Sequence, residues 1–126
     1  MRTFLCVAFL LPLSGCGSIV DYTGEFELGD APMISTVEAA DSDQRVKIEV
    51  TAGGPVNVIV MLSEDVTDAT TFAAQSGKKP EKALGASLKS ETASFEVSVP
   101  AGKEFQIITG QSGGEKVNVT LKANSI

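Results

Sequence analysis

The chain has 126 residues and a net charge of −6, enough for one domain with a single core and not for two. The excess of acid repels nucleic acid and anionic lipid headgroups, so neither is expected as a partner. Histidine and tryptophan are absent and tyrosine occurs once, which removes the commonest general base, the commonest transition-metal ligand and the best sugar-stacking ring.

The chain opens with a cation, Arg2, and then an apolar run over residues 3–13 (TFLCVAFLLPL). At about 1.5 Å per residue such a run spans roughly half a bilayer core, the length of a signal h-region and too short for a membrane helix. Ser14 and Gly15, both small, lead to Cys16. The stretch Leu13-Ser14-Gly15-Cys16 resembles the lipobox of bacterial lipoproteins at every position. The resemblance implies a diacylglyceryl thioether on Cys16, with fatty chains such as palmitate, and signal cleavage between Gly15 and Cys16. Cysteine suits the role because a thiolate is the nucleophile that takes the lipid. Two or three chains at about 0.8 kcal/mol per buried CH₂ anchor stably where one is marginal. Cys6 would leave with the signal and lipid would occupy Cys16, so no disulfide is expected. Gly17 stands where such signals carry Asp for inner-membrane retention, which favours the outer membrane in a cell with two. The expected organisation is a removed signal over 1–15, a lipidated tether over 16–24 and one domain over 25–126.

Within that domain, residues 25–28 alternate polar and apolar, as a short strand does, and residues 33–38 suggest a second. Val46, Ile48 and Val50 alternate with Lys47, Glu49 and Thr51, the pattern of a strand with one wet face. Ala52-Gly53-Gly54-Pro55 follows and predicts a turn, making 45–62 a hairpin. In residues 56–62 (VNVIVML) both faces are largely apolar, which predicts a central strand or one covered by a loop. Val66, Ala69, Phe72 and Ala73 have helical spacing, with Ser63 as a candidate N-cap. Lys78-Lys79-Pro80-Glu81-Lys82 reads as an exposed basic turn, and residues 83–90 as a further strand. Phe95, Val97 and Val99 alternate with polar residues up to Pro100-Ala101-Gly102, which suits a type I turn with proline second and glycine fourth. A strand through Phe105 and Ile107, a turn at Ser112-Gly113-Gly114 and a strand through Val117, Val119, Leu121 and Ala123 end the pattern. The lysines on the polar face of that last strand would suit an exposed edge.

Six to eight short strands with no long helix predict an all-β fold: an antiparallel β-sandwich, jelly-roll or Ig-like, after the N-terminal signal. The expected core is Val46, Ile48, Val50, Val58, Val60, Leu62, Phe95, Val97, Val99, Phe105, Ile107, Val117, Val119 and Leu121. From Val46 to Ala123, the VNVIVML strand and the closing pattern SFEVSVPAGKEFQIITGQSGGEKVNVTLKA resemble the bacterial pre-peptidase C-terminal type of sandwich. Such domains often carry a Tyr-Tyr pair after the turn, where this chain has Phe105 and Gln106. The resemblance implies an accessory or binding module without chemistry of its own.

The chemistry-bearing clusters are sparse. Glu38, Asp41, Ser42 and Asp43, or Glu64, Asp65 and Asp68, offer oxygens to calcium, but the first set lacks the glycine and distal glutamate of a full calcium loop. A solvated turn is the favoured reading of each, so no metal and no cofactor are expected. Serine has no histidine partner for a nucleophilic relay, and no glycine-rich segment matches a phosphate loop. Not an enzyme, then: the expectation is a non-catalytic envelope protein, held to the membrane by lipid on Cys16, that binds an envelope protein or serves a structural role. A carbohydrate-binding or calcium-stabilised accessory module is the alternative.

Overall fold

A computed structural model describes residues 20–112 and 116–126 of the chain. The expected signal over 1–15, the cleavage position at Gly15 and Cys16, the first residues of the tether, and the turn at Gly113-Gly114 lie outside the described residues. The described residues form six strands: β1 (Asp21–Leu28), β2 (Met33–Val37), β3 (Gln44–Leu62), β4 (Gly85–Val99), β5 (Phe105–Gln111) and β6 (Val117–Ser125). One helix, α1 (Asp68–Ser76), and a 3-10 turn (Ser63–Asp65) stand between β3 and β4. All pairings are antiparallel, in the order β1-β6-β3-β5-β2 with β4 on the far side of β3.

The sandwich is one sheet folded over on itself. β3 is the hinge of that fold. Along one edge it pairs first with β6, from Val46↔Ser125 to Ala52↔Val119, and then with β5, from Val56↔Gln111 to Leu62↔Phe105. Along its other edge it pairs with β4 on both sides of the bend, Gln44↔Val99 to Thr51↔Thr92 and then Val56↔Ser90 to Val60↔Gly85. The outermost strands meet again across the interior, where Tyr22 Oη donates to Ser35 Oγ at 3.1 Å. Side chains from both layers fill one core, including Leu28, Val37, Val46, Ile48, Val58, Phe105, Ile107 and Leu121.

Residues 45–62 therefore do not form the expected hairpin. The period of two runs unbroken through Ala52 and Gly54, so Val46, Ile48, Val50, Val56, Val58 and Val60 all face the core. Because β6 and β5 dock end to end along the same edge of β3, the glycines bend the strand and do not reverse it. Gly54 is needed there, since a Cβ would stand 2.9 Å from Val117 Cγ1. In the same way residues 85–90 of the expected 83–90 strand join 94–99 in the single strand β4, whose pairing with β3 shifts register between Thr51 and Val56 and again between Val56↔Ser90 and Val58↔Ser87. Lys89 takes up the extra residue in the left-handed region, at φ 54°.

Four smaller expectations change. Residues 21–24, expected in the tether, are the first half of β1 and pair with β6. β6 is not an edge: β1 covers it, and the edges are β1, β2 and β4. The 100–103 turn closes through Lys103 N–H donating to Pro100 O, with Gly102 third at φ 76°. Positive φ at the third position is the mark of a type II turn. Ser63 caps no helix; its hydroxyl donates to Glu104 Oε2 at 2.7 Å, and Thr67 is the N-cap of α1. Eleven of the fourteen expected core residues are buried, and Leu62, Phe95 and Val117 are half-buried against the same cluster.

Candidate binding surfaces

A second, smaller apolar layer lies outside the main core. On the odd-numbered face of β3, Ile59 and Met61 are buried beside Ile108 of β5 and Ala74 of α1. The helix starts at Thr67, whose N–H donates to Thr70 Oγ1 at 3.2 Å, and stops at Gly77, in the left-handed conformation at φ 76°. Alanines at 73 and 74 and glycine at 110 let helix and sheet approach to backbone contact. A Cβ on Gly110 would stand 2.5 Å from Ala74 O.

Asn57 ties this layer together from a fully buried position. Its Nδ2 donates to Ala74 O at 2.9 Å, satisfying a carbonyl of the last helical turn. Its Oδ1 accepts the Lys89 N–H at 2.8 Å, at the left-handed residue of the β4 bulge. One side chain thus holds the helix end and the bulge. The polar residue inside VNVIVML is the signal in the sequence that marks it.

Among the described residues, three open clefts bear on binding. One, of about 420 Å³, lies between α1 and the basic 78–82 loop and includes Asp65, Thr70, Lys78 and Lys82. A second, of about 460 Å³, lies where β3 begins and β4 ends, at Asp43, Gln44, Arg45, Ser98, Val99 and Pro100. The third, of about 300 Å³, is a polar groove on the open face between Glu49, Thr51, Thr120 and Lys122.

The structure disperses the carboxylates considered for calcium. Asp43 Oδ1 accepts the Ala101 N–H at 2.9 Å, joining the 38–43 loop to the 100–103 turn. Glu64 pairs with Lys103 at 2.7 Å and Asp65 with Lys82 at 3.7 Å, while Asp68 occupies the first turn of α1. Glu64 holds the Lys103 ammonium above the usual lysine range, chiefly by its hydrogen bond and then by its charge. Among the described residues no three His, Cys, Asp or Glu side chains form a group able to hold a metal ion, and no helix is long and apolar enough to cross a membrane. The described aromatic rings offer no stacking platform. Phe105 is buried, and Tyr22, Phe26 and Phe95 lie against the core.

The fold and these surfaces define a small β-sandwich with an added helix on one face. No protein-family model matches the chain, and no curated protein does. Among solved structures it is similar to the pre-peptidase C-terminal domain of a collagenase from Bacillus anthracis, with TM-score 0.60 and 12% identity over 82% of this chain and 89% of that one. It is also similar to a periplasmic inhibitor of g-type lysozyme from Aeromonas hydrophila, with TM-score 0.53 and 16% identity over 92% and 93%. The mitogen of Yersinia pseudotuberculosis matches at TM-score 0.52 and 10% identity over 83% of each chain. At these identities the likeness is one of fold, and it agrees with the sandwich type the sequence resembles.

Proposed function

We propose that this chain is a lipid-anchored envelope protein whose sandwich is non-catalytic and acts by binding a protein partner. The observation that carries the reading is the complete lipobox Leu13-Ser14-Gly15-Cys16, followed within five residues by the first strand of a folded domain. An anchor on Cys16 with so little chain before β1 holds the sandwich at a membrane surface. Gly17 in place of Asp favours the outer membrane where there are two. The non-catalytic part of the reading is supported by what the side chains are engaged in: the acidic turns close loops and pair with lysines, and the chain has no histidine to build a relay. The similar sandwiches from Bacillus anthracis and Aeromonas hydrophila are, by name, a domain of a larger enzyme and a protein inhibitor.

Mass spectrometry of the protein from its native envelope tests the anchor. The expected product begins at Cys16 and carries diacylglyceryl mass; an intact Met1 N-terminus without lipid overturns it. Cross-linking in intact envelopes, followed by recovery with an unanchored Cys16→Ala form, tests the binding role. A hydrolytic activity that copurifies with the isolated chain would refute the non-catalytic reading.

A further inference from the structure

The place where the chain enters the fold determines which end of the sandwich can meet a membrane. Val20 is fixed to the end of β6: its N–H donates to Ser125 Oγ at 2.8 Å, and its carbonyl accepts the Ser125 N–H at 2.9 Å. Four peptide steps separate Cys16 from Val20, a reach of at most about 14 Å. From Asp21 to Leu28, β1 then carries the chain about 24 Å away from that point. The entry end is closed by contacts among the loops that meet there. Gly102 N–H donates to Ala40 O at 2.8 Å, Ala101 N–H to Asp43 Oδ1 at 2.9 Å, and Ile126 N–H to Arg45 O at 2.9 Å. The other end is a separate assembly, with Gln111 Nε2 donating to Gly29 O at 2.7 Å and Ser112 N–H to Pro55 O at 3.0 Å.

Resting on the lipid-anchor reading above, we propose that the Val20 end of the sandwich, with the 38–43 loop and the 100–103 turn, faces the bilayer surface, and that the end formed by the 29–32 loop and the β3 bend points away from it. The link is shorter than the domain, so the distal loops cannot exchange places with the entry end while Cys16 stays in the lipid. Glu38, Asp41 and Asp43 are exposed around the entry end and keep it in the water layer above the headgroups. A partner in the envelope is then met at the bend and the 29–32 loop, or on the flanks.

The full chain permits a direct test, because lipid occupies Cys16 and Cys6 leaves with the signal, so an introduced cysteine is the one free thiol. Ser42→Cys and Ala31→Cys place a fluorophore at exposed positions of the two ends. Each lipidated protein is added to phosphatidylcholine vesicles bearing nitroxide on their headgroups, a quencher of short range. Quenching several-fold stronger at position 42 than at 31 is the expected result. Equal quenching, as for a domain lying on its flank, or stronger quenching at 31 overturns the proposal. A long Gly/Ser insertion after Gly17 should abolish the difference, and a difference that survives it overturns the short link as the cause. Absence of lipid mass on Cys16 overturns the anchor reading instead, which separates the two failures.

Discussion

The two halves of β3 share one strand, one parity and opposite surroundings. Before the bend its odd-numbered face carries Arg45, Lys47, Glu49 and Thr51 and is open to water. After the bend the same face carries Asn57, Ile59 and Met61, all buried beneath α1. The even-numbered face does not change and lines the core throughout. A sheet needs only one apolar face to make a sandwich, so a strand apolar on both faces announces a third layer. Here α1 is that layer, and it covers only the half of the sheet whose outer face the sequence made apolar.

The covered half depends most on Ile59. Ile59→Ala should destabilise the fold by about 4 kcal/mol, since the cavity opens between two layers and α1 rests on backbone that cannot close over it. Chemical denaturation measures it; a loss under about 1 kcal/mol would mean that α1 lies loosely on the sheet. Asn57→Ala comes next, at about 2–3 kcal/mol, because Ala74 O and Lys89 N–H lose their partner where water is scarce. Asn57→Leu separates polar from apolar burial. If leucine restores the stability, the covered half is held by apolar area alone; if it does not, Asn57 is needed to hold the helix end and the bulge.

Most of this division is legible in the sequence. Alternation in residues 45–51 and its loss in 56–62 identify the wet and the covered half, and the closing strands are phased as expected. Less legible is the connection between the halves. Ala52-Gly53-Gly54-Pro55 has hairpin composition, although the parity runs unbroken on either side of it. Whether such glycines bend or reverse a strand is decided by which strands dock along its edge, and those, paired as Val56↔Gln111 and Ala52↔Val119, come far later in the chain than any local pattern reaches. The start of β1 was hidden for a similar reason. Tyr22 and Gly24 look like tether residues until Tyr22 is seen lying over Gly24, its hydroxyl 2.5 Å from where a Cβ would stand, and reaching Ser35. The stretch Leu13-Ser14-Gly15-Cys16, on which the proposed anchor rests, is a local pattern that needs no fold to be read.

On the open half the expected effects are small. Lys47→Ala should change stability by no more than about 0.5 kcal/mol. Its nearest acid, Glu49, is 3.9 Å away, and both side chains are nearly half exposed. Glu96→Gln should act as weakly, since the Arg45–Glu96 pair at 2.6 Å is 68% and 50% exposed. High salt should erase even that difference. An open-face substitution costing as much as Ile59→Ala would show that this half is covered in solution, by a partner or a second copy.

The smallest effect lies where β3 leaves the covered half. Lys103, in the turn after β4, reaches Glu64 of the 3-10 turn at 2.7 Å, and that hydrogen bond with the carboxylate charge raises its pKa above the ordinary 10.5. A raised lysine pKa means that the folded state holds the proton more tightly than the unfolded state. The contribution is therefore complete below the ordinary lysine value and disappears as pH rises through the higher folded value. Glu64→Gln removes the charge and weakens the bond, so the variant should lack this alkaline loss while matching the parent's slope at neutral pH. Denaturation midpoints of the two proteins followed from neutral pH to pH about 11 test it, and parallel curves across the whole range would show that the pair is formed as often unfolded as folded. Because the groups are well exposed, added salt should shrink the difference further, in contrast to Ile59→Ala, whose effect rests on packing and should not respond to salt at all.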